Sequence, residues 1–212
     1  MMWYQLLLSA LVGYLLGAIP VGYLVIWVLK RQDIRRQGSG RTGGTNALRA
    51  GGTVAGILTG IGDILKGLLA VVLARWITGG APWGDLLAAL AAVIGHNWSV
   101  YVGFRGGAGT APNVGACIAI WPLSALWLVP LLPFGLNIIG YASVTSLMIA
   151  AVIPITLAIR VALGQGHWLH VLYGFLAALT VAWALRPNIK RLIAGTEPRA
   201  PKLSLAKQEN HS

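Results

Sequence analysis

Long uncharged runs, separated by short clusters of cations and glycine, dominate the pattern along this chain. The first run spans about Trp3 to Leu29 and is interrupted by Pro20, which predicts a helix with a kink of the kind a bilayer tolerates. A second runs from about Val54 to Trp76, and Pro82-Trp83-Gly84-Asp85 opens a third that continues through Gly95 and His96. From Gly106 to Ile159 no charged residue occurs. As a helix that stretch would measure roughly 80 Å at about 1.5 Å per residue, far more than one bilayer crossing, so it must fold back. Breaks are marked at Trp121-Pro122 and between Pro133 and Asn137. A last run covers about Trp168 to Leu185.

The placing of the cations sets the number of crossings. Loop 30–53 holds Lys30, Arg31, Arg35, Arg36, Arg41 and Arg49, and the C-terminal segment holds Arg186, Lys190, Arg191, Arg199, Lys202 and Lys207. Both should face the cytoplasm. An even number of crossings must separate them, and only three spans between Arg105 and Arg160 make the sum even. The expectation is an all-α polytopic membrane protein with seven transmembrane helices, its N terminus outside and its C terminus cytoplasmic. Arg75 and Arg160 are then left on the outer side. Residues 1–196 form a single integral-membrane domain, and 197–212 read as a polar, disordered cytoplasmic tail. The first run is too long for a signal peptide and lacks a basic leader and cleavage site, so it is expected to be retained.

Composition agrees with a multi-pass protein of the cell membrane. The chain is 57% hydrophobic and 10% charged, with a mean hydropathy of +0.74, whereas soluble domains carry about 25% charged residues. The formal charge of +11 does not point to nucleic acid, because the cations cluster beside apolar spans, where an anionic membrane face or anionic substrate meets them. Cys117 is alone in an apolar run, so no disulfide framework exists. The tryptophans sit largely near the ends of runs and read as interfacial anchors.

The seven-span topology gathers polar and glycine-rich segments on one face: "GSGRTGGTNALRAGG" (38–52), "GFRGGAGT" (103–110), "GYASVTS" (140–146) and "RPNIKRL" (186–192). Glycine lets backbone N–H groups converge on an oxyanion, and a helix N terminus adds partial positive charge. Two such loops suggest a substrate with two phosphates, or two substrates with one each. Neither fits the Walker pattern, since no GK[ST] follows. Asp63 and Lys66 share a helix face at membrane depth, as a mutually neutralised pair or as substrate contacts. His96 ends the third run and could bind substrate, act as a base or cap its helix. His167 and His170 have no carboxylate or cysteine near them in sequence, so no metal site is expected. No Ser-His-Asp set is visible and Ser39 has no partner base, so a covalent mechanism is not supported.

With these residues assembled, the sequence resembles the bacterial membrane acyl-phosphate-dependent glycerol-3-phosphate acyltransferases. The resemblance runs from about Gly13 to Glu197 and is carried by "GSGRTGGTNALR", "DILKG", "GHNWSVYVGFRGGAGTA", "YASVTS" and "NIKRLIAGTE". It implies transfer of a fatty acyl group from acyl phosphate to the sn-1 hydroxyl of glycerol 3-phosphate at the cytoplasmic side, without cofactor or metal. Its catalytic residues here would be Ser39, Arg49, His96 and Asn188. Substrate binding would fall to Gly38, Gly40, Arg41, Asn46, Arg105, Gly106, Gly107, Gly109 and Ser143. The chain departs from the family pattern: Arg105 replaces the first lysine of KGGKG and Ala108 the second, Arg41 replaces the asparagine after GSG, Ser99 a proline and Pro112 a threonine. The missing lysine at position 108 leaves room for a degenerate paralogue with altered donor use, and the intramembrane Asp63–Lys66 pair for a transporter of a phosphorylated solute. Arg41 is a gained cation that could restore the charge.

Overall fold

In the computed structural model, which describes residues 2–203, the chain is all-helical, with no strand among the described residues. Helix α1 (Trp3–Ala18) stops at Ile19-Pro20, and α2 (Val21–Lys30) continues the run to the first basic loop. Then follow α3 (Gly44–Thr78), α4 (Pro82–Asn97), α5 (Thr110–Ile120), α6 (Ala125–Phe134), α7 (Ala142–Ala162), α8 (Trp168–Ala184) and α9 (Arg186–Ile193). Proline opens α4, where its missing N–H costs nothing. Trp121-Pro122 separates α5 from α6. A π turn at Gly135–Ile139, ended by Gly140 at φ 75°, separates α6 from α7.

Among the described residues, five segments are long and apolar enough to cross a membrane: Trp3–Lys30, Gly44–Thr78, Pro82–Val102, Pro122–Ile139 and Ala142–Ala162. The pair α8 and α9, bent by 62°, makes a sixth if taken as one span. The remaining expected crossing corresponds to α5, which is apolar but only 11 residues long. At 1.5 Å per residue that is about half the hydrocarbon thickness.

The described helices pack through small residues. A β-carbon on Gly13 or Gly17 of α1 would overlap the carbonyl oxygens of Ala88 or Ala92 on α4, and one on Gly67 or Gly115 would collide across the α3–α5 contact. Lipid offers no hydrophobic drive between helices, so close backbone approach of this kind holds them. The core is a continuous set that includes Val71, Val93, Val114, Leu128, Ile153 and Tyr173. Leu58, Ile61, Leu65 and Leu69 of α3 stay exposed, as a lipid-facing stripe should.

Helix α3 differs from the sequence expectation at its start. The segment 44–51, expected as loop, is helical, and the break falls at Gly52 with φ 80° and ψ −174°. Only glycine adopts that conformation without strain. The chain therefore turns back on itself, so that Gly44 and Leu48 of the first leg pack against Gly56 of the second.

At the end of the bundle away from the glycine-rich loops lies a second polar cluster. Arg75 grips Asp85 with Nη2 at 2.8 Å and Nε at 3.1 Å, and donates from Nη1 to the Ala119 carbonyl at 2.8 Å. Nε2 of His170 lies 3.3 Å from the same carboxylate. The sequence left His170 without a carboxylate; the fold supplies Asp85 from another helix.

Candidate active site

The glycine-rich segments converge at one end of the bundle. Asn46, on the first leg of α3, organises the opening loop: its Oδ1 accepts from the Ser39 N–H at 3.0 Å, and its Nδ2 donates to the carbonyls of Arg41 (2.8 Å), Gln37 (3.0 Å) and Ile34 (3.2 Å). Gly38, at φ 50°, sits so close to Asn46 that a β-carbon would strike its amide oxygen. The second loop is pinned to the end of α4, with Gly106 N–H on the Asn97 carbonyl at 3.1 Å and Gly107 N–H on that of His96 at 2.9 Å. The Thr42 N–H reaches the Gly106 carbonyl at 3.4 Å and joins the two loops.

Between these elements is a cavity of about 580 Å³. Ser39, Arg41, Asn46, Arg49, His96, Gly107, Gly109, Ser143 and Asn188 all line it. Its other wall is apolar, built from Ile57, Ile61 and Ile64 of α3 and from Val129, Leu132 and Leu136 near α6. Ile61 is 51% and Val129 40% exposed, so the cavity opens sideways along the seam between α3 and α6. Arg105, Gly40 and Gly106 line instead a smaller adjoining pocket of about 380 Å³. Gly38 lines neither.

Arg41 forms part of the wall between the two. Its guanidinium donates to the Gly107 carbonyl (3.2 Å), the Ala184 carbonyl (2.6 Å) and Asn188 Oδ1 (3.1 Å). Burial pushes its pKa below the ordinary arginine value, and nearby Arg191 and Arg186 push the same way against Glu197. Arg49 has a long bond, 3.4 Å, from Nη2 to the Arg199 carbonyl. His96 is buried, with Nδ1 3.5 Å from Asp63 and its ring against Gly107. Asp63 is also paired with Lys66 at 2.8 Å, and Lys66 donates to the Ile19 carbonyl at 2.7 Å.

Some of the expected donors are already engaged. The amides of Gly40, Gly106 and Gly107, read as oxyanion donors, are spent on backbone carbonyls, and the Asn46 side chain on its own loop. These residues shape the loops. Backbone donors remain at the start of α5, capped by Gly109 at φ 84°, where Ala108 to Ala111 face the cavity, and at the start of α3, where Gly43 to Thr45 line it.

Sequence reasoning missed Glu197, which it placed at the start of a solvated tail. Oε1 of Glu197 accepts from Ser143 Oγ and Asn188 Nδ2, each at 2.8 Å, and Oε2 from Arg191 Nε at 2.8 Å. Burial raises the carboxyl pKa, but these hydrogen bonds outweigh it and hold Glu197 below the usual carboxylate range. The Leu203 N–H donates to Asn137 at 2.9 Å, so residues 197–203 lie against the bundle. Residues 204–212 of the expected tail fall outside the described residues. The only signal was "GTE" itself, since the notch that receives the carboxylate is made by α7 and α9.

Fold and site together define an integral-membrane enzyme with a basic-ended, apolar-walled cavity suited to an anionic amphiphile. A family model described as glycerol-3-phosphate acyltransferase matches residues 7–195, and the chain belongs to that family. Curated relatives include glycerol-3-phosphate acyltransferase 2 of Moorella thermoacetica, 43% identical over 90% of this chain and 95% of that protein. The glycerol-3-phosphate acyltransferase of Synechococcus is 41% identical over 93% and 94%. Among solved structures, the glycerol 3-phosphate form of PlsY (YgiH), an integral membrane glycerol 3-phosphate acyltransferase, superposes with a TM-score of 0.78 at 30% identity, covering 92% of this chain and 96% of that one.

Proposed function

We propose that this acyltransferase moves a fatty acyl group from acyl phosphate to the sn-1 hydroxyl of glycerol 3-phosphate, yielding lysophosphatidic acid and inorganic phosphate. The observation that carries this reading is the amphiphilic cavity: Ser39, Arg49 and Asn188 at one end, the isoleucine stripe of α3 along the other. An acyl phosphate fits that polarity, with its phosphate among the cations and its chain along the seam.

Acyl phosphate is already activated, so catalysis is positioning plus electrostatics. Arg49 and Arg41 neutralise the phosphate, Ser39 and Asn188 orient it, and the first amides of α5 face the carbonyl oxygen as it gains charge. The attacking hydroxyl loses its proton to the departing phosphate. His96, wedged between Asp63 and Gly107, holds the wall of the cavity in place. Removing it should lower the rate without removing a limb from the pH–rate profile; loss of a limb in His96→Ala would transfer the base role to the imidazole.

In this reading the loop-bearing end faces the cytoplasm, the N terminus lies outside, and α5 completes a seventh, shortened pass whose N terminus serves the site. The decisive assay supplies purified protein with acyl phosphate and glycerol 3-phosphate and measures phosphate release together with lysophosphatidic acid by mass. Solute flux in proteoliposomes without either product would overturn the reading.

A further inference from the structure

Past the residues shared with the family, 7–195, the chain stays on the bundle. After the Glu197 anchor, residues 198–203 run as a strap without regular secondary structure from α9 to the turn between α6 and α7. The Ala200 N–H donates to the Gly140 carbonyl at 2.8 Å, and the Leu203 N–H to Asn137 Oδ1 at 2.9 Å. The Arg199 guanidinium lies 5.8 Å from the centre of the Tyr141 ring, and the Arg199 carbonyl accepts the 3.4 Å bond from Arg49. Pro198 and Pro201 fix φ along the strap, which lowers the entropy lost when it docks. Its side chains divide: Arg199 and Lys202 are exposed, while Pro198 and Leu203 line the acyl cavity, to which Leu132 and Leu136 also contribute. The strap therefore meets the cavity at its apolar wall and at Arg49, one of its cations.

We propose that this strap is a specificity determinant for the acyl donor, in which Leu203 and Pro198 close the cavity over the donor's chain and limit the thickness of chain that fits. The proposal rests on the acyl-transfer reading above and adds the part of this chain that selects the donor. A fatty chain that arrives from lipid gains nothing by leaving water, so the side chains packed on it act through fit and not through hydrophobicity. Fit discriminates steeply, because one carbon too many in a closely packed slot changes selection by roughly tenfold or more. The tethers at Gly140 and Asn137 hold Leu203 at a fixed height, and the Glu197 anchor does the same for Pro198.

The test compares binding of a straight-chain alkyl phosphonate with isomers that carry one methyl branch at successive carbons, each at fixed mole fraction in detergent micelles. Phosphonates keep the anionic head and the chain but have no acyl group to transfer, so binding is read apart from chemistry. The expected result is a run of adjacent branch positions that the purified wild type binds weakly and that Leu203→Ala binds roughly tenfold better relative to the straight chain. Ala200→Pro removes the N–H that ties the strap to Gly140 and should widen that run. Leu203→Met, close to leucine in volume, should keep the wild-type pattern, as should Lys202→Gln on the exposed face. No branch position relieved in Leu203→Ala or Ala200→Pro, or equal relief in Lys202→Gln, overturns the proposal. Kinetics should agree, with kcat/KM for the matching branched acyl phosphates rising in Leu203→Ala while KM for glycerol 3-phosphate is unchanged. A wild type that sorts the phosphonates in this way yet releases no phosphate from acyl phosphate would sink the acyl-transfer reading and leave the strap's role standing.

Discussion

Arg41 and Gly107 meet at the point where this chain departs from its family pattern. The Arg41 guanidinium lies 3.2 Å from the Gly107 carbonyl, beside Ala108, where the resemblance expects a lysine. Arg41→Ala should therefore cost about ten- to hundredfold in kcat/KM, the value of a charge-assisted phosphate contact. Ala108→Lys should recover most of it in the double variant, and failure of that rescue in a folded protein would show that the two positions do not share a role. Gly107 is constrained differently: a β-carbon there would overlap the His96 ring. Gly107→Ala should displace the imidazole and lower kcat by more than an order of magnitude, with little change in melting temperature. That these residues matter could be read from the sequence. Which atoms do the work could not, because backbone N–H groups of glycine-rich loops take their direction from whatever carbonyls the fold offers them.

Among the elements, the hairpin inside α3 depends on Gly52. An alanine at φ 80° is strained, and Gly52→Ala should straighten the break, separate Asn46 from Ser39 and abolish activity while circular dichroism keeps its helical signal. The segment after α9 is held by Glu197. The pKa of this carboxyl is lower folded than unfolded, so its ionised form favours the docked state; that contribution is present above the unfolded carboxylate pKa and disappears as pH falls through the folded value. Glu197→Gln should destabilise the protein by about 2 kcal/mol and flatten the acid side of its stability profile, measured by thermal unfolding across pH. Hydropathy located nearly every helix, and proline and glycine located the breaks, because both are local properties. The return of residues 197–203 was not legible, since a carboxylate in a polar stretch carries no periodicity. The helical first leg of α3 was hidden for a related reason: its glycines and threonines are poor helix formers, and only packing against the second leg makes it a helix.

For the whole molecule, polar work is divided between the two ends of the bundle. The loop end holds the cavity, and the far end holds a lock in which Arg75, Asp85, His170 and the Ala119 carbonyl of α5 are drawn together. Parity of charged loops put Arg75 and Arg160 on the outer side; in the structure Arg75 meets Asp85 and the Ala119 carbonyl at the end of the bundle away from the glycine-rich loops. The partner of Arg75 was invisible because it comes from a different helix. Asp85→Asn would leave the guanidinium with a weaker partner and should lower stability by roughly 2 kcal/mol, the value of a hydrogen bond to a charged group, with both KM values unchanged. A change in either KM would mean that the two ends communicate.

The sideways opening between Ile61 and Val129 has a kinetic corollary. A donor that arrives through that slit never dissolves in bulk water, so its concentration is a mole fraction within the leaflet, and the acylated product departs by two-dimensional diffusion into the same sheet. Turnover should then fall on dilution with inert detergent or lipid at fixed total donor, the surface-dilution behaviour of interfacial enzymes, while the response to glycerol 3-phosphate continues to follow its molarity.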